Sequence, residues 1–301
     1  MNGPGLEQRL LVSATRHETR VALLLGGALH EVHQARSGAG SVLGNLYLGR
    51  VQRVLPGMQA AFIDIGLARP GFLHLRDVQQ PGHHPTAAAD EGVPWEPRIQ
   101  DLLHEGQRVL VQVTKDPIAT KGARLTTQVA LASRFLVLMP HSTHLGVSHR
   151  IGTPGERQRL RGLLETHLAR FGHADHHGYI VRTAAEDAGE DELALDVAFL
   201  ERLWQEVLET RQRVTPPALV HEELPLPVRM VRDLVDDDLA DILVDDPETH
   251  GHVLRFVSRF LPHLEDRVRL FEDPVPLFER YGIEAEIDRV LDTRVALRSG
   301  G

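Results

Sequence analysis

The stretch from Asn45 to Leu75, NLYLGRVQRVLPGMQAAFIDIGLARPGFLHL, decides the predicted fold of the first half of the chain. Its first apolar run ends at Pro56-Gly57, a pair typical of a turn. The apolar positions 61, 63 and 65 then alternate with Phe62 and Asp64, and this period of two predicts a half-buried strand. With turns on both sides and a further strand expected over 106–113, the pattern predicts a five-stranded barrel of the OB type.

After about residue 123 the pattern changes to helices mixed with short strands. Helices are expected near 154–171, 190–211, 227–234, 247–261 and 276–291. The sequence Thr215-Pro216-Pro217 interrupts this series. The part that follows has too few strands for a sheet of its own, so it should share one with the strands expected at Arg9–Ala14 and Thr19–Leu25. The predicted fold class is therefore α+β with several domains.

The composition excludes several classes of protein. The chain has 301 residues and no cysteine, which excludes disulfides, thiolate catalysis and cysteine-based zinc sites. It has no apolar run of about 18 residues and no signal sequence, so we expect a cytoplasmic protein without membrane contact.

The charge is distributed unevenly along the chain. A net charge of −9 argues against a nucleic-acid partner, but residues 222–248 hold ten acids and two arginines and account for most of it. Residues 46–76 carry four arginines against one aspartate, and residues 108–124 carry four cations against one aspartate. A local positive face can bind phosphates whatever the total charge.

Two phenylalanines lie within the predicted barrel, beside these arginines. Single-stranded RNA is held by aromatic rings that stack on bases and by cations that meet phosphates. Phe62 and Phe72 provide the rings, and the only two lysines of the chain, Lys115 and Lys121, follow the last expected strand. Phe62 is out of phase with its apolar neighbours. The pattern leaves two arrangements open: Phe62 faces outward, or it packs in the core while the intervening residues face a second layer.

Two polar clusters offer a metal site as an alternative. The acidic run from 236 to 246 could bring carboxylates around a metal ion, as in a metal hydrolase. His173, His176 and His177 with Asp175 resemble a zinc or nickel ligand set. A solvated acidic helix end and a polar loop explain the same residues more simply.

Motifs along nearly the whole chain resemble the ribonuclease E/G family, and they occur in the family's order. They are Gly49-Arg50-Val51, residues 56–66 (PGMQAAFIDIG), Gly71-Phe72-Leu73-His74, residues 111–117 (VQVTKDP), residues 120–127 (TKGARLTT), residues 133–140 (SRFLVLMP), Gly146-Val147-Ser148, Val181-Arg182-Thr183-Ala184, Leu224-Pro225-Leu226-Pro227, Tyr281-Gly282-Ile283-Glu284 and Ser299-Gly300-Gly301. A chance match of this extent is implausible.

The resemblance implies an arrangement of domains. Residues 1–38 and 216–288 would form an RNase H-like subdomain that is split by two insertions. The insertions would be an OB-fold RNA-binding domain at 39–118 and a sensor domain at 119–215 that recognises the 5′-monophosphate of RNA. Residues 289–301 would begin a DNase I-like subdomain.

The resemblance also implies which residues hold the RNA strand. In the family, the residues matching Phe62, Phe72 and Lys121 hold single-stranded RNA near the cleavage site. We assign Lys115 and Arg50, which lie in the same basic stretches, to this RNA-binding face as well.

The residues matching Arg182 and Thr183 hold the 5′-monophosphate in the family. An arginine offers a planar fork to phosphate oxygens, and a threonine adds a hydroxyl donor. We assign Arg150 to the same site. The family often has an arginine in place of His149, and a mostly neutral imidazole should make the sensing of the monophosphate weaker here.

The family hydrolyses single-stranded RNA with magnesium, in ribosomal-RNA maturation and messenger decay. Its two magnesium-binding aspartates, and the paired cysteines that bind zinc and join two subunits, lie in the DNase I-like subdomain downstream of the segment matching Ser299-Gly300-Gly301. We therefore expect this chain to bind single-stranded RNA, preferably 5′-monophosphorylated, without binding magnesium and without cleaving RNA alone. The alternatives are a non-catalytic RNA-binding protein that ends here naturally, and the metal hydrolase described above.

Overall fold

The computed structural model describes residues 7–36, 41–79, 97–171, 177–235 and 239–291. These ranges hold fifteen strands and seven α-helices. The strands are β1 (Gln8–Ala14), β2 (Glu18–Leu25), β3 (Ala28–Arg36), β4 (Leu46–Leu55), β5 (Ala60–Asp64), β6 (Gly71–His74), β7 (Arg108–Lys115), β8 (Arg124–Thr126), β9 (Leu131–Ala132), β10 (Leu136–Met139), β11 (Leu145–Val147), β12 (Gly178–Val181), β13 (Ala218–His221), β14 (Leu239–Val244) and β15 (Val268–Leu270). The helices are α1 (Ile99–Leu102), α2 (Pro154–Phe171), α3 (Glu190–Arg213), α4 (Leu226–Leu234), α5 (Pro247–Phe260), α6 (Leu277–Arg280) and α7 (Ile283–Val290). The chain divides into two compact units, residues 1–41 with 224–301 and residues 42–223.

The first unit is a mixed sheet with helices on both faces. Its strand order is β15-β14-β1-β2-β3, in which β1, β2 and β3 are antiparallel and β14 is parallel to β1 and β15. Successive residues of a strand face opposite sides. Leu10 and Val12 therefore join the core under α4 and α5, whereas Leu11 packs with Leu277 and Phe278 of α6. Strands from both ends of the described chain share this sheet, as the sequence predicted.

The helix expected near 276–291 is instead two helices, α6 and α7. Gly282 lies between them with a φ of +69°, a left-handed conformation that an α-helix does not contain. The prediction of one continuous helix is wrong, because the apolar spacing continues across Gly282 although the helical backbone does not.

The second unit contains the predicted five-stranded barrel. Strands β4, β5, β6, β8 and β7 pair in this order, and a further pairing of β4 with β7 closes the barrel. Its interior is filled by side chains that include Ala61, Ile63, Leu73 and Leu125, all fully buried. A closed barrel of five strands is consistent with an OB fold.

A four-stranded sheet with two long helices forms the rest of the second unit. The strand order is β11-β12-β10-β9, and α2 and α3 contribute to its core. Leu46 and Leu48 of β4 belong to this same core. The first half of β4 is therefore buried on both sides, and its outer face reaches solvent only after Gly49, at Arg50 and Arg53.

Strand β13 pairs with β4 and so belongs to the second unit, although the sequence placed a boundary at 216. Of residues 289–301, which were expected to begin a further subdomain, 292–301 lie outside the described residues. None of the helices in the described part of the chain combines the length and the apolar character that crossing a bilayer requires.

Candidate nucleic-acid interface

Phe62 and Phe72 both lie on the outer face of the barrel. Phe62 is half-buried, whereas Ala61 and Ile63 on either side of it have no exposed surface. Phe72 is half-buried in the same way, next to a fully buried Leu73. Because neighbouring residues of a strand face opposite sides, the two rings stand outside the barrel. Of the two arrangements that the sequence left open for Phe62, the structure has the outward one.

The two phenylalanines are part of a row of rings. They are direct partners in the β5–β6 ladder, with ring centroids 6.0 Å apart and planes at 64°, an edge-to-face contact. His74 follows two residues along β6, on the same face, and its ring centroid is 6.5 Å from that of Phe72. We call Phe62, Phe72 and His74 the ring platform.

Cations lie on both sides of the ring platform in the strand ladders. Arg53 of β4 is the partner of Phe62, and Arg124 of β8 is the partner of Phe72. Lys115 of β7 is in turn the partner of Arg124. Ladder partners share a face of the sheet, so the five side chains form one row across the barrel. The row places two stacking surfaces between positive charges.

Lys121 lies in the turn that connects β7 to β8. This turn approaches the start of β6 closely, because a Cβ atom on Gly122 would lie 1.9 Å from the carbonyl oxygen of Pro70. The backbone N–H of Phe72 donates to the carbonyl oxygen of Ala123 at 2.7 Å. Only glycine permits this approach, which fixes the exposed Lys121 turn against the strand that carries Phe72.

The cations of this face differ in their partners. Arg124 forms an ion pair with Asp77, with an N–O distance of 3.0 Å. Arg50, Arg53, Lys115 and Lys121 are exposed and form no ion pair with any residue that the structure describes. Their charges therefore remain available to an anionic ligand.

A second polar site lies at one edge of the β11-β12-β10-β9 sheet. Strands β11 and β12 are parallel, with Val147 opposite Val181, so the residues that follow them meet at the same edge. Strand β10 is antiparallel to β12 and begins at this edge, with Leu136 opposite Val181. Ser148, Arg182 and the loop before Leu136 are thereby brought together from three separate motifs.

The side chains at this edge form a hydrogen-bonded group. The hydroxyl oxygens of Ser148 and Thr183 are 3.1 Å apart. Nη1 of Arg182 donates to the carbonyl oxygen of Ser133 at 2.5 Å, and its backbone N–H donates to Phe135. The backbone N–H of the exposed Arg150 donates to the Ser148 hydroxyl at 3.3 Å. The edge thus combines two adjacent hydroxyl groups with the arginines Arg150 and Arg182, residue types that suit an anion.

Asp196 of α3 holds the loop at this edge. Its Oδ2 accepts from the Ser133 hydroxyl at 2.6 Å and from the backbone N–H groups of Phe135 and Leu136 at 2.7 and 3.2 Å. Burial raises the pKa of the Asp196 carboxyl, while these hydrogen bonds oppose the rise. The carboxylate therefore acts as a buried support for the loop whose Ser133 carbonyl anchors Arg182.

The described acids of the 236–246 run all have partners. Asp241 lies 3.2 Å from Arg9 and 3.3 Å from Arg269, and Asp245 accepts from the N–H of Ala14 at 2.8 Å. Asp246 is the N-cap of α5 and accepts from the N–H of Thr249. Residues 236–238 lie outside the described residues.

Of the histidines considered as an alternative metal site, the structure describes only His177. Its Nδ1 lies 3.1 Å from the carbonyl oxygen of Pro140, and its Nε2 lies 3.7 Å from a carboxylate oxygen of Glu201. His173, Asp175 and His176 lie outside the described residues.

Sequence reasoning did not assign roles to Arg53, Arg124, Ser148 or Asp196. Arg53 and Arg124 could have been found only with the strand register, because each is opposite a phenylalanine. Ser148 lies in one of the family motifs, but its contact with Thr183 depends on the parallel pairing of two distant strands.

Among known proteins, this chain is similar to ribonucleases E and G. The sequence profile of the Ribonuclease E/G family matches residues 130–301. Ribonuclease G from Haemophilus influenzae and from Escherichia coli K12 are each 43% identical over 293 residues, which is 97% of this chain. Ribonuclease E from Escherichia coli K12 is 33% identical over 297 residues, or 98% of this chain. The chain spans 58% of the length of the ribonuclease G relatives and 27% of that ribonuclease E.

Proposed function

Because this chain belongs to the ribonuclease E/G family, we propose that it binds single-stranded RNA across the outer face of its barrel. The observation that carries the proposal is the ladder row in which Phe62 and Phe72 stand between Arg53 and Lys115. Aromatic rings stack on bases of any kind, and cations beside them meet the phosphates. The row combines both contacts on one exposed face.

The geometry favours single strands over duplexes. A base can lie on Phe62 or Phe72 only when its own face is not covered by a neighbouring base. The two ring planes are inclined at 64° to each other, so stacked bases of a regular helix would not fit both rings. Unpaired nucleotides can turn to meet each ring in succession.

We propose that the sheet edge around Ser148 and Thr183 binds the 5′-monophosphate of the RNA. The two hydroxyl groups, 3.1 Å apart, supply donors for phosphate oxygens. Arg182 and Arg150 supply positive charge beside them. The support that Asp196 gives to the 133–136 loop keeps the Ser133 carbonyl in place, and this carbonyl orients Arg182.

The finer domain assignments are part of the same proposal. A sheet of three antiparallel strands continued by two parallel strands, with helices on both faces, supports the RNase H-like subdomain expected at 1–38 and 216–288, except that residues before 224 belong to the second unit. Residues 39–118 and 119–215 would be the OB-fold domain and the 5′-monophosphate sensor, although strand β8 of the barrel lies past residue 118. Residues 289–301 would begin the DNase I-like subdomain.

We propose that the whole protein is a magnesium-dependent endoribonuclease, and that this chain alone binds RNA without cleaving it. Within the described ranges, no three His, Asp or Glu side chains come together in a way that could hold a metal ion. Asp241, Asp245 and Asp246 are occupied by ion pairs and hydrogen bonds. The described residues do not fit a catalytic magnesium ion, and no hydrolytic step follows from them.

The binding proposal is tested by fluorescence anisotropy with a short, labelled, 5′-monophosphorylated oligoribonucleotide. Phe62→Ala and Phe72→Ala should each weaken binding about fivefold or more, because stacking contributes about 1–3 kcal/mol per base. Lys121→Ala should weaken binding and lower the salt dependence by about one released counterion. Phe260→Ala, which truncates an exposed phenylalanine of the first unit, is the matched control and should bind as the unchanged chain does. Equal affinities for all variants would end the proposal.

The end-recognition proposal needs a separate comparison. The chain should bind a 5′-monophosphorylated oligoribonucleotide more tightly than the same RNA with a 5′-hydroxyl group. Thr183→Val keeps the side-chain shape and removes the exposed hydroxyl, so it should reduce this difference while binding to 5′-hydroxyl RNA stays unchanged. The same mixtures, incubated with Mg²⁺, should contain intact RNA; cleavage by this chain would contradict the proposal that it is inactive alone.

A further inference from the structure

His74 belongs to the ring platform, but the proposed function gives it no role. It is the last residue of β6 and faces the same side of the barrel as Phe72, two residues earlier. Its ladder partner on β5 is Ala60, which has no ring, and the side chain of His74 is half-buried. One side of the imidazole is therefore exposed beside Phe72.

The hydrogen bonding of His74 fixes the position of its ring proton. Its Nδ1 accepts from the backbone N–H of Arg76 at 3.2 Å, at the start of a short 3-10 turn over Leu75–Asp77. A neutral imidazole that accepts at Nδ1 carries its proton on Nε2. Nε2 has no hydrogen-bond partner among the residues that the structure describes. An N–H donor of the half-buried ring is thus left for a ligand.

The spacing of the three rings is nearly regular. The centroid distance is 6.0 Å from Phe62 to Phe72 and 6.5 Å from Phe72 to His74. Arg76, in the 3-10 turn that follows His74, is exposed as well. A third ring and a cation close to it in sequence therefore continue the exposed face beyond Phe72.

We propose that His74 contacts a third nucleotide of the bound strand: its ring stacks on the base next to the one on Phe72, and its Nε2–H donates to an acceptor of that base. This inference rests on the proposed function of the ring platform. It extends the site by one nucleotide along β6, toward Arg76.

A purely structural role for His74 as the cap of the 3-10 turn must be separated from this contact. His74→Asn keeps a side-chain acceptor for the N–H of Arg76 and removes the ring. His74→Phe keeps a ring and removes the acceptor. If stacking matters, His74→Asn should lose about fivefold in affinity for RNA, and His74→Phe should lose less. If His74 acts only as the cap of the turn, His74→Phe should lose more affinity for RNA than His74→Asn.

The test pairs these variants with RNA in which one base at a time is replaced by an abasic site, with affinity measured by anisotropy on the full chain. The effect of Phe72→Ala should vanish for one abasic position, and the effect of His74→Asn should vanish for the adjacent position. If Phe72→Ala weakens binding and His74→Asn does not, the His74 contact is refuted while the proposed function stands. A His74→Asn loss that is the same for every abasic RNA also refutes the contact. If neither Phe62→Ala nor Phe72→Ala weakens binding, the proposed function fails and the inference fails with it.

Discussion

Replacing Asp196 by alanine should destabilise the second unit more than any change of comparable size on the surface of α3. The carboxylate accepts three hydrogen bonds, from Ser133, Phe135 and Leu136. The Ser133 hydroxyl also lies 3.1 Å from the carbonyl oxygen of Leu136, which gives it a second acceptor. The backbone N–H groups of Phe135 and Leu136, both in buried residues, would lose the acceptor that Asp196 provides.

The magnitude follows from these two donors. A buried donor that loses its acceptor costs about 1–3 kcal/mol, so two of them should lower the free energy of unfolding by about 3 kcal/mol. Burial of the carboxylate, which raises the pKa of Asp196, is itself unfavourable, and the alanine variant no longer has this cost. The net loss of stability should therefore lie toward the lower end of the range. A loss of this size is a large part of the total stability of a typical domain.

Urea unfolding followed by circular dichroism measures the change, with equal m-values required for the comparison. Leu195→Ala is the matched control, because Leu195 is the preceding residue of α3 and is 72% exposed. It should change stability by less than about 0.5 kcal/mol. Asp196→Ala should also reduce the preference for 5′-monophosphorylated RNA, since the Ser133 carbonyl that holds Arg182 would move. Stability within about 0.5 kcal/mol of the unchanged chain would refute this account of Asp196.

Three further predictions concern the barrel and buried acids. Gly122→Ala should lower the free energy of unfolding by about 3 kcal/mol or more, because its Cβ would lie 1.9 Å from the Pro70 carbonyl oxygen. Gly155→Ala is the control and should change the free energy of unfolding by less than about 1 kcal/mol, because a Cβ there would meet nothing within 4 Å. Urea unfolding of the two variants measures both changes. Burial raises the pKa of Asp196, so the folded state keeps the carboxyl proton to a higher pH than the unfolded chain does. The free energy of unfolding should therefore fall as the pH rises through the folded pKa. Asp196→Asn should remove this pH dependence. Burial also raises the pKa of Tyr179, so at least one of the three tyrosines should ionise only when the protein unfolds in alkali, and Tyr179→Phe should abolish that late step in an absorbance titration.

The barrel could be predicted from the sequence because its inner residues alternate with its outer ones. The alternation did not settle which set faced inward, since Phe62 is as apolar as Ile63. The answer depends on what covers each strand from outside. The core around α2 and α3 covers the first half of β4 at Leu46 and Leu48, whereas it does not include Phe62 or Phe72.

Strand β3 could not be predicted for a related reason. Its sequence, ALHEVHQAR, places polar residues at most positions, and the strand pairs only with β2, at one edge of the described sheet. An edge strand of this kind buries little apolar surface, so no hydrophobic period marks it. Its turn at Gly26-Gly27, where both residues have positive φ, was the only local signal of a hairpin.

The sheet edge that we propose to bind the 5′-monophosphate was predicted only in part. Arg182, Thr183 and Arg150 were assigned through the family resemblance, but no sequence pattern brings Ser148 to Thr183, 35 residues later. Asp196 had no signal at all, because it is one of several acids on α3 and differs from the others only in its burial against the 133–136 loop. Contacts of this kind depend on strand pairing and helix packing over long sequence separations.

Photo-crosslinking identifies the residues that the bound RNA strand contacts. An oligoribonucleotide with 4-thiouridine at successive positions is irradiated with the chain, and the crosslinked residues are identified by mass spectrometry. If RNA lies across the ring platform, crosslinks should form on the outward residues of β5 and β6, at Phe62, Phe72 and His74, and should shift along the platform with the position of the label. Crosslinks confined to other strands or to the first unit would contradict RNA binding at the platform.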